Sequence, residues 1–83
     1  MAMHLIIVTR ADRPSKLADI GLLTRSLIVS TPGIKNCRLL HETLVEATLY
    51  FETENEEWPE GLVAMLRDRG VRLIHAERGD WVV

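Results

Sequence analysis

The order of apolar and polar positions along the chain predicts four β-strands. Residues 3–9 are almost all aliphatic or β-branched and are followed at once by a polar loop. Because both faces of this first strand are apolar, we expect a central strand, with helices on one side and helices or a partner on the other. Residues 34–41 and 45–52 predict a second and a third strand joined by a short hairpin, and residues 71–76 predict the fourth.

Two segments between these strands have the three- and four-residue spacing of amphipathic helices. The first has Asp12 or Ser15 as its N-cap and extends for about fifteen residues. Gly21 lies inside this helix and indicates a close contact between the helix and the sheet. The second helix has Pro59 in its first turn and ends at Gly70, a residue suited to the left-handed position after a helix.

The resulting order, βαββαβ, predicts a ferredoxin-like α+β fold. With right-handed crossovers, this order gives a two-layer sandwich in which an antiparallel four-stranded sheet carries both helices on one face. The first and third strands are then central in the sheet. Residues 1–83 form a single domain in this interpretation, because the sequence contains neither a repeat nor a linker.

Composition favours a globular protein of the cytoplasm. Hydrophobic residues make up 47% of the chain and charged residues 27%, a balance typical of folded domains. The longest aliphatic run, residues 5–8, is far shorter than a transmembrane helix and lacks the pattern of a secretory signal, so we expect no membrane association. The single cysteine, Cys37, cannot form an internal disulfide and agrees with a reducing compartment.

Charge is distributed unevenly, although the net charge is only −2. Residues 10–38 contain six bases and two acids, whereas residues 42–60 contain seven glutamates and no base. Two oppositely charged sides either keep a small protein soluble or attract a partner. We expect no nucleic-acid partner, because Tyr50 and Phe51 point to opposite faces of their strand and have glutamates rather than bases beside them.

The loop after the first strand is the best candidate for a small-ligand site. Arg10, Arg13 and Lys16 meet the positive end of the predicted first helix there. This arrangement suits a small anion or the carboxylate of an amino acid. The alternative is that these bases only balance the acidic half of the chain.

Residues 12–20, D-R-P-S-K-L-A-D-I, resemble the first loop and helix of ACT domains, which are small regulatory modules that bind amino acids. The family pattern is close to D-R-P-G-L-L-A-D-I, so Ser15 and Lys16 replace its glycine and an apolar residue. The resemblance implies a regulatory domain with an amino-acid effector at the first loop. It adds Asp12 and Ser15 to the three bases as candidate ligand-binding residues.

Residues 31–34 (T-P-G-I) and 69–71 (R-G-V) are similar, more weakly, to heavy-metal-associated domains. Those domains hold copper with cysteines in the first loop, and this loop has no cysteine. His4, His41 and His75 are far apart in sequence and have no second ligand at a metal spacing. His4 and His75 could lie on adjacent strands, either as a two-histidine site or as ordinary strand-end residues. We therefore expect neither a metal nor another cofactor.

The sequence lacks the residue arrangements of an enzyme active site. Cys37 has no histidine at a fixed spacing, which predicts a packed core cysteine rather than a nucleophile. No phosphate-binding loop, dinucleotide-binding glycine pattern or serine-nucleophile motif occurs in the chain. We interpret the chain as non-catalytic, and the remaining alternative is a small enzyme, or an accessory subunit of one, that needs a partner to complete its site.

The sheet face that points away from the helices is the candidate protein interface. Strand alternation places a mixture of polar and aliphatic side chains on it, with more aliphatic surface than a face left in water usually carries. The expected interface residues are Arg38, Leu40, Thr48, Tyr50, Arg72 and Ile74. Trp58 and Trp81 each lie beside a chain reversal and either anchor an interface or pack over the ends of the core.

These features favour a regulatory or interaction module that forms a homodimer or docks a protein partner through its sheet. An amino acid or a small anion would bind at the first loop of such a module. The alternative is an inhibitor or adaptor that binds a larger protein assembly through its charged surfaces, including the acidic segment 53–57, and takes no small ligand.

Overall fold

The computed structural model describes residues 2–10, 19–54, 58–59 and 61–79, and its elements follow the predicted order. These elements are β1 (Ala2–Arg10), α1 (Ile20–Val29), β2 (Ile34–Glu42), β3 (Glu46–Thr53), α2 (Leu62–Asp68) and β4 (Val71–Arg78). The four strands form one sheet in the order β2-β3-β1-β4, and every neighbouring pair is antiparallel. This is a ferredoxin-like α+β fold, so the predicted fold class is confirmed.

β1 and β3 occupy the centre of the sheet, as the apolar character of both faces of β1 predicts. Alternate residues of the two strands are buried beneath the helices because successive side chains of a strand point to opposite faces. These residues pair directly across the two strands, as Ala2 with Thr53, His4 with Phe51, Ile6 with Leu49 and Val8 with Ala47. They form the floor of the core.

The two helices contact each other and pack on this same face of the sheet. Ile20 and Ile28 from α1 and Leu62 and Leu66 from α2 are almost fully buried against the central strands. Burying one such side chain contributes about 1.5–3 kcal/mol, so the contact between the helices and the sheet is a main source of stability.

α1 begins later than the sequence pattern predicts. Asp19 has an extended backbone (φ −114°, ψ 92°), and its Oδ1 accepts a hydrogen bond from the amide of Leu22 at 3.2 Å. Asp19 is therefore the N-cap, a role that aspartate fills well, and α1 has ten residues. The predicted caps Asp12 and Ser15 precede this start and lie outside the described residues. The prediction of a longer helix was wrong because the apolar spacing continues before Asp19.

α2 is a short helix of seven residues with a glycine next to each end. Gly61 is its N-cap with φ 80°, and Gly70 follows its C-cap with φ 79°, as predicted for Gly70. Pro59 lies before the helix rather than in its first turn, and its carbonyl accepts a hydrogen bond from the amide of Leu62 at 3.3 Å. Neither described helix is long and apolar enough to cross a membrane.

Candidate functional site

Alternate residues of all four strands form the face of the sheet opposite the helices, which we call the outer face. Residues that pair directly across antiparallel strands point to the same face, so the register identifies its members. Two complete rows cross the sheet from β2 to β4: Arg38, Tyr50, Leu5 and Glu77 in the Leu5 row, and His41, Thr48, Ile7 and His75 in the Ile7 row. Shorter rows flank them: Lys35, Glu52 and Met3 at one end, and Glu46, Thr9 and Arg72 at the other.

The centre of the outer face is apolar. Met3, Leu5 and Ile7 follow one another along β1 and are half-buried, although both described helices lie on the opposite face. Tyr50 pairs with Leu5 and is only 5% exposed. An apolar centre within a polar surround is the usual arrangement of a protein interface.

Tyr50 is held in place by a hydrogen-bonded carboxylate. Its hydroxyl donates to Glu52 Oε2 at 2.6 Å, and Asn36 Nδ2 donates to Glu52 Oε1 at 2.8 Å. The bond from Tyr50, followed by that from Asn36, lowers the pKa of Glu52, and the same bond to Glu52 raises the pKa of Tyr50. Both oxygens of this carboxylate already accept hydrogen bonds from the chain. Burying Glu52 in an interface therefore costs less than burying a carboxylate that is hydrogen-bonded only to water.

Charged and ionisable side chains line the two edges of the outer face. On β2 these residues are Lys35, Arg38 and His41, and on β4 they are Arg72, His75 and Glu77. The acid Glu77 therefore lies at the opposite end of the Leu5 row from the base Arg38. His75 Nε2 lies 3.4 Å from Glu77 Oε2, an exposed pair of the kind that contributes little to stability.

Four of the six predicted interface residues lie on the outer face: Arg38, Thr48, Tyr50 and Arg72. Leu40 and Ile74 fall at shifts in the strand register and have no directly paired residue in the described sheet. They are 41% and 50% exposed. Uninterrupted strand alternation would place Leu40 and Ile74 on this face, whereas the shifts place His41 and His75 there as members of the Ile7 row.

Arg10 is the one predicted ligand-binding residue within the described part of the chain. Its Nε donates to the carbonyl of Leu44 at 3.2 Å, and its amide donates to the carbonyl of Val45 at 3.4 Å. Thr9 Oγ1 also donates to the Val45 carbonyl, at 2.7 Å. Arg10 thus fixes the β2–β3 hairpin to the end of β1. The other predicted ligand-binding residues, Asp12, Arg13, Ser15 and Lys16, lie outside the described residues.

The tip of the β2–β3 hairpin carries a second exposed apolar surface. Leu44 is 88% exposed and Val45 is 62% exposed. Thr43 Oγ1 accepts hydrogen bonds from the amides of Val45 and Glu46, at 3.3 and 3.1 Å, which orders the turn. Two side chains offer far less area than a specific protein interface needs.

The first amides of α1 are bonded to carboxylates of the chain itself. The Gly21 amide donates to Glu42 Oε2 at 2.7 Å, beside the bond from Leu22 to Asp19. The carboxyl groups of Asp19 and Glu42 are also hydrogen-bonded to each other, which lowers the pKa of Asp19 and raises the pKa of Glu42. An external anion at this helix end would have to compete with both groups.

Gly21 allows the Glu42 carboxylate to reach the start of α1, because it has no Cβ. A Cβ at this position would lie 2.9 Å from Leu39 Cδ1 and would collide with the Glu42 carboxylate. The predicted close contact between the first helix and the sheet is therefore confirmed, and its cause is the entry of Glu42 at the start of α1.

His4 belongs to a buried aromatic cluster beneath the helices. Its side chain is almost fully buried, and its ring stacks on Phe51 with centroids 5.1 Å apart. The rings of Trp58 and His4 meet edge to face with centroids 5.4 Å apart, and Trp58 packs against the core. His4 Nε2 lies 3.1 Å from Thr53 Oγ1. Burial, and then the charge of Arg78, lower the pKa of His4.

His4, His75 and Cys37 lie in different parts of the described sheet. His4 and His75 lie on adjacent strands but on opposite faces of the sheet, so they do not form a two-histidine site. Among the described residues, no three histidine, cysteine or acidic side chains come together as metal ligands. Cys37 is half-buried and packs against the core, and burial raises the pKa of its thiol.

Comparisons with known proteins found no relative of this chain. A scan against protein-family models found no matching family, and searches of curated proteins and of solved structures found no match either.

Proposed function

We propose that this chain is a non-catalytic interaction module that docks a protein through its outer face. The observation that carries the proposal is the stripe of Met3, Leu5 and Ile7 at the centre of a sheet whose described helices lie on the other side. Removing such aliphatic surface from water is favourable by about 25 cal/mol per Å², so covering this face with a partner would contribute favourable binding free energy.

The surroundings of the stripe also suit docking. Strands are rigid supports, and the Tyr50 side chain is already ordered by its bond to Glu52, so little conformational entropy is lost when a partner binds. The charged edges on β2 and β4 supply a polar rim that can select a partner by charge.

A regulatory role with an effector at the first loop stays a prediction, as does its resemblance to ACT domains. The described end of that loop gives the effector site little support. Arg10 is bonded to the β2–β3 hairpin, and the first amides of α1 are bonded to Asp19 and Glu42. The alternative of an inhibitor or adaptor also stays a prediction, since most of its acidic segment lies outside the described residues.

Site-specific photocrosslinking in the native host tests the proposal. A benzophenone side chain placed at Thr48, on the outer face, should form adducts with a protein, either this chain or another. The matched control has the same group at Ser26, which is exposed on α1, and should form few adducts. Substituting Ile7→Glu beside the probe should abolish the adducts at Thr48. Equal labelling from both positions, or no adduct from Thr48, would contradict the proposed function.

A further inference from the structure

We infer that the protein docked on the outer face is a second copy of this chain, related by a two-fold axis parallel to the strands and centred between β1 and β3. The inference rests on the proposed docking function and names the occupant of the same surface. Two-fold symmetry makes one patch bind itself, so every contact occurs twice.

The charges of the Leu5 row favour this axis. Rotation about it exchanges β2 with β4 and β1 with β3. Arg38 of one copy then lies over Glu77 of the other, and Tyr50 lies over Leu5. Both ends of the row are thus matched by opposite charge, while the apolar residues meet at its centre.

The other two-fold arrangement of stacked sheets is unfavourable. An axis perpendicular to the strands would place β2 over β2 of the second copy. Lys35 and Arg38 would then face the same two bases of the second copy. Juxtaposed like charges are strongly disfavoured in an interface, so the edge on β2 excludes this orientation.

The sheets can cross at their usual angle without losing the charge pairs. Stacked sheets are typically rotated by about 30° relative to each other. Arg38 and Glu77 lie one and a half strand spacings from the axis, about 7 Å, so this rotation displaces them by about 4 Å. Arginine and glutamate side chains are long enough to bridge that displacement.

The size of the face predicts a reversible dimer. The four strands have eight or nine residues each, and standard strand dimensions then give a face of roughly 500 Å². Two copies would bury about 1,000 Å² in total, the lower limit for a specific interface. The dimer should therefore form and dissociate within the micromolar concentration range.

Charge exchange tests this arrangement by sedimentation equilibrium. Arg38→Glu alone and Glu77→Arg alone should each weaken the dimer about tenfold, because each places two like-charged pairs in the interface. The double variant should restore the dissociation constant to within about threefold of the original. Circular dichroism verifies that each variant remains folded.

Two control variants localise the effect. Arg25→Glu makes the same charge change on the exposed side of α1, and Leu44→Ser removes apolar surface at the hairpin tip. Both should leave the dimer unchanged. Failure of the double variant to recover, or loss of the dimer only in Leu44→Ser, would overturn the inference. A chain that stays monomeric at all concentrations would also overturn it, but adducts from Thr48 to a different protein would still support the docking function.

Discussion

Acidification should destabilise this fold through His4. The imidazole is 1% exposed, stacks on Phe51 and shares a hydrogen bond with Thr53. Burial in the core, and then the positive charge of Arg78, lower the pKa of His4 below its ordinary value of 6.5. The unfolded chain therefore binds a proton at a higher pH than the folded chain does.

The sign and the upper limit of the effect follow from this difference. The contribution of His4 to stability is fully present above pH 6.5 and is lost as the pH falls from there through the folded-state pKa. Because one proton is involved, the free energy of unfolding decreases by at most about 1.4 kcal/mol per pH unit. A domain of 83 residues has a total stability of roughly 4–12 kcal/mol, so one pH unit removes a measurable fraction of it.

Urea unfolding at constant ionic strength, at several values between about pH 7.5 and pH 5.5, measures this slope. His4→Phe should flatten the slope because it keeps an aromatic ring in the core and removes the titrating group. His75→Asn, a substitution at an exposed histidine of β4, should retain it. A stability that stays constant or rises on acidification, or the same slope in His4→Phe as in the original chain, would show that protonation of His4 does not destabilise the fold.

Two further substitutions test the packing of α1. Gly21→Ala should destabilise the fold by about 1 kcal/mol. Displacement of the Glu42 carboxylate and contact with Leu39 should outweigh the better helix propensity of alanine. A more stable variant in urea unfolding would contradict this packing. Thr24→Val should stabilise the fold by about 1 kcal/mol, because the buried Thr24 hydroxyl has no hydrogen-bond partner among the described residues. A lower unfolding temperature for this variant would indicate that the hydroxyl does have a partner.

Much of the fold could be predicted because the local patterns agree with it. The alternation across residues 47–52 separates Leu49 and Phe51 from Thr48 and Tyr50, and the structure places these pairs on the core side and on the outer face. The two apolar faces of β1 predict its central position. Gly70 predicts the end of α2, because a left-handed residue follows the helix there.

The details that depend on tertiary contacts could not be predicted. α1 begins directly after Asp19 partly because Glu42, distant in sequence, reaches its first turn. The outer face contains His41 because β2 shifts register beside it, and the alternation pattern has no sign of that shift. Another shift in β2 includes Asn36, whose φ of 52° suits asparagine better than most residues, but a single asparagine in a strand does not locate a bulge.

An isotope-filtered NOE experiment shows directly whether the outer faces of two copies meet. A sample that mixes labelled and unlabelled chains, at a concentration where the dimer forms, detects contacts between copies alone. We expect NOEs from the methyl groups of Leu5 in one copy to the ring protons of Tyr50 in the other. NOEs between copies that come instead from Leu44 and Val45 at the hairpin tip, or the absence of any from the outer face, would contradict this expectation.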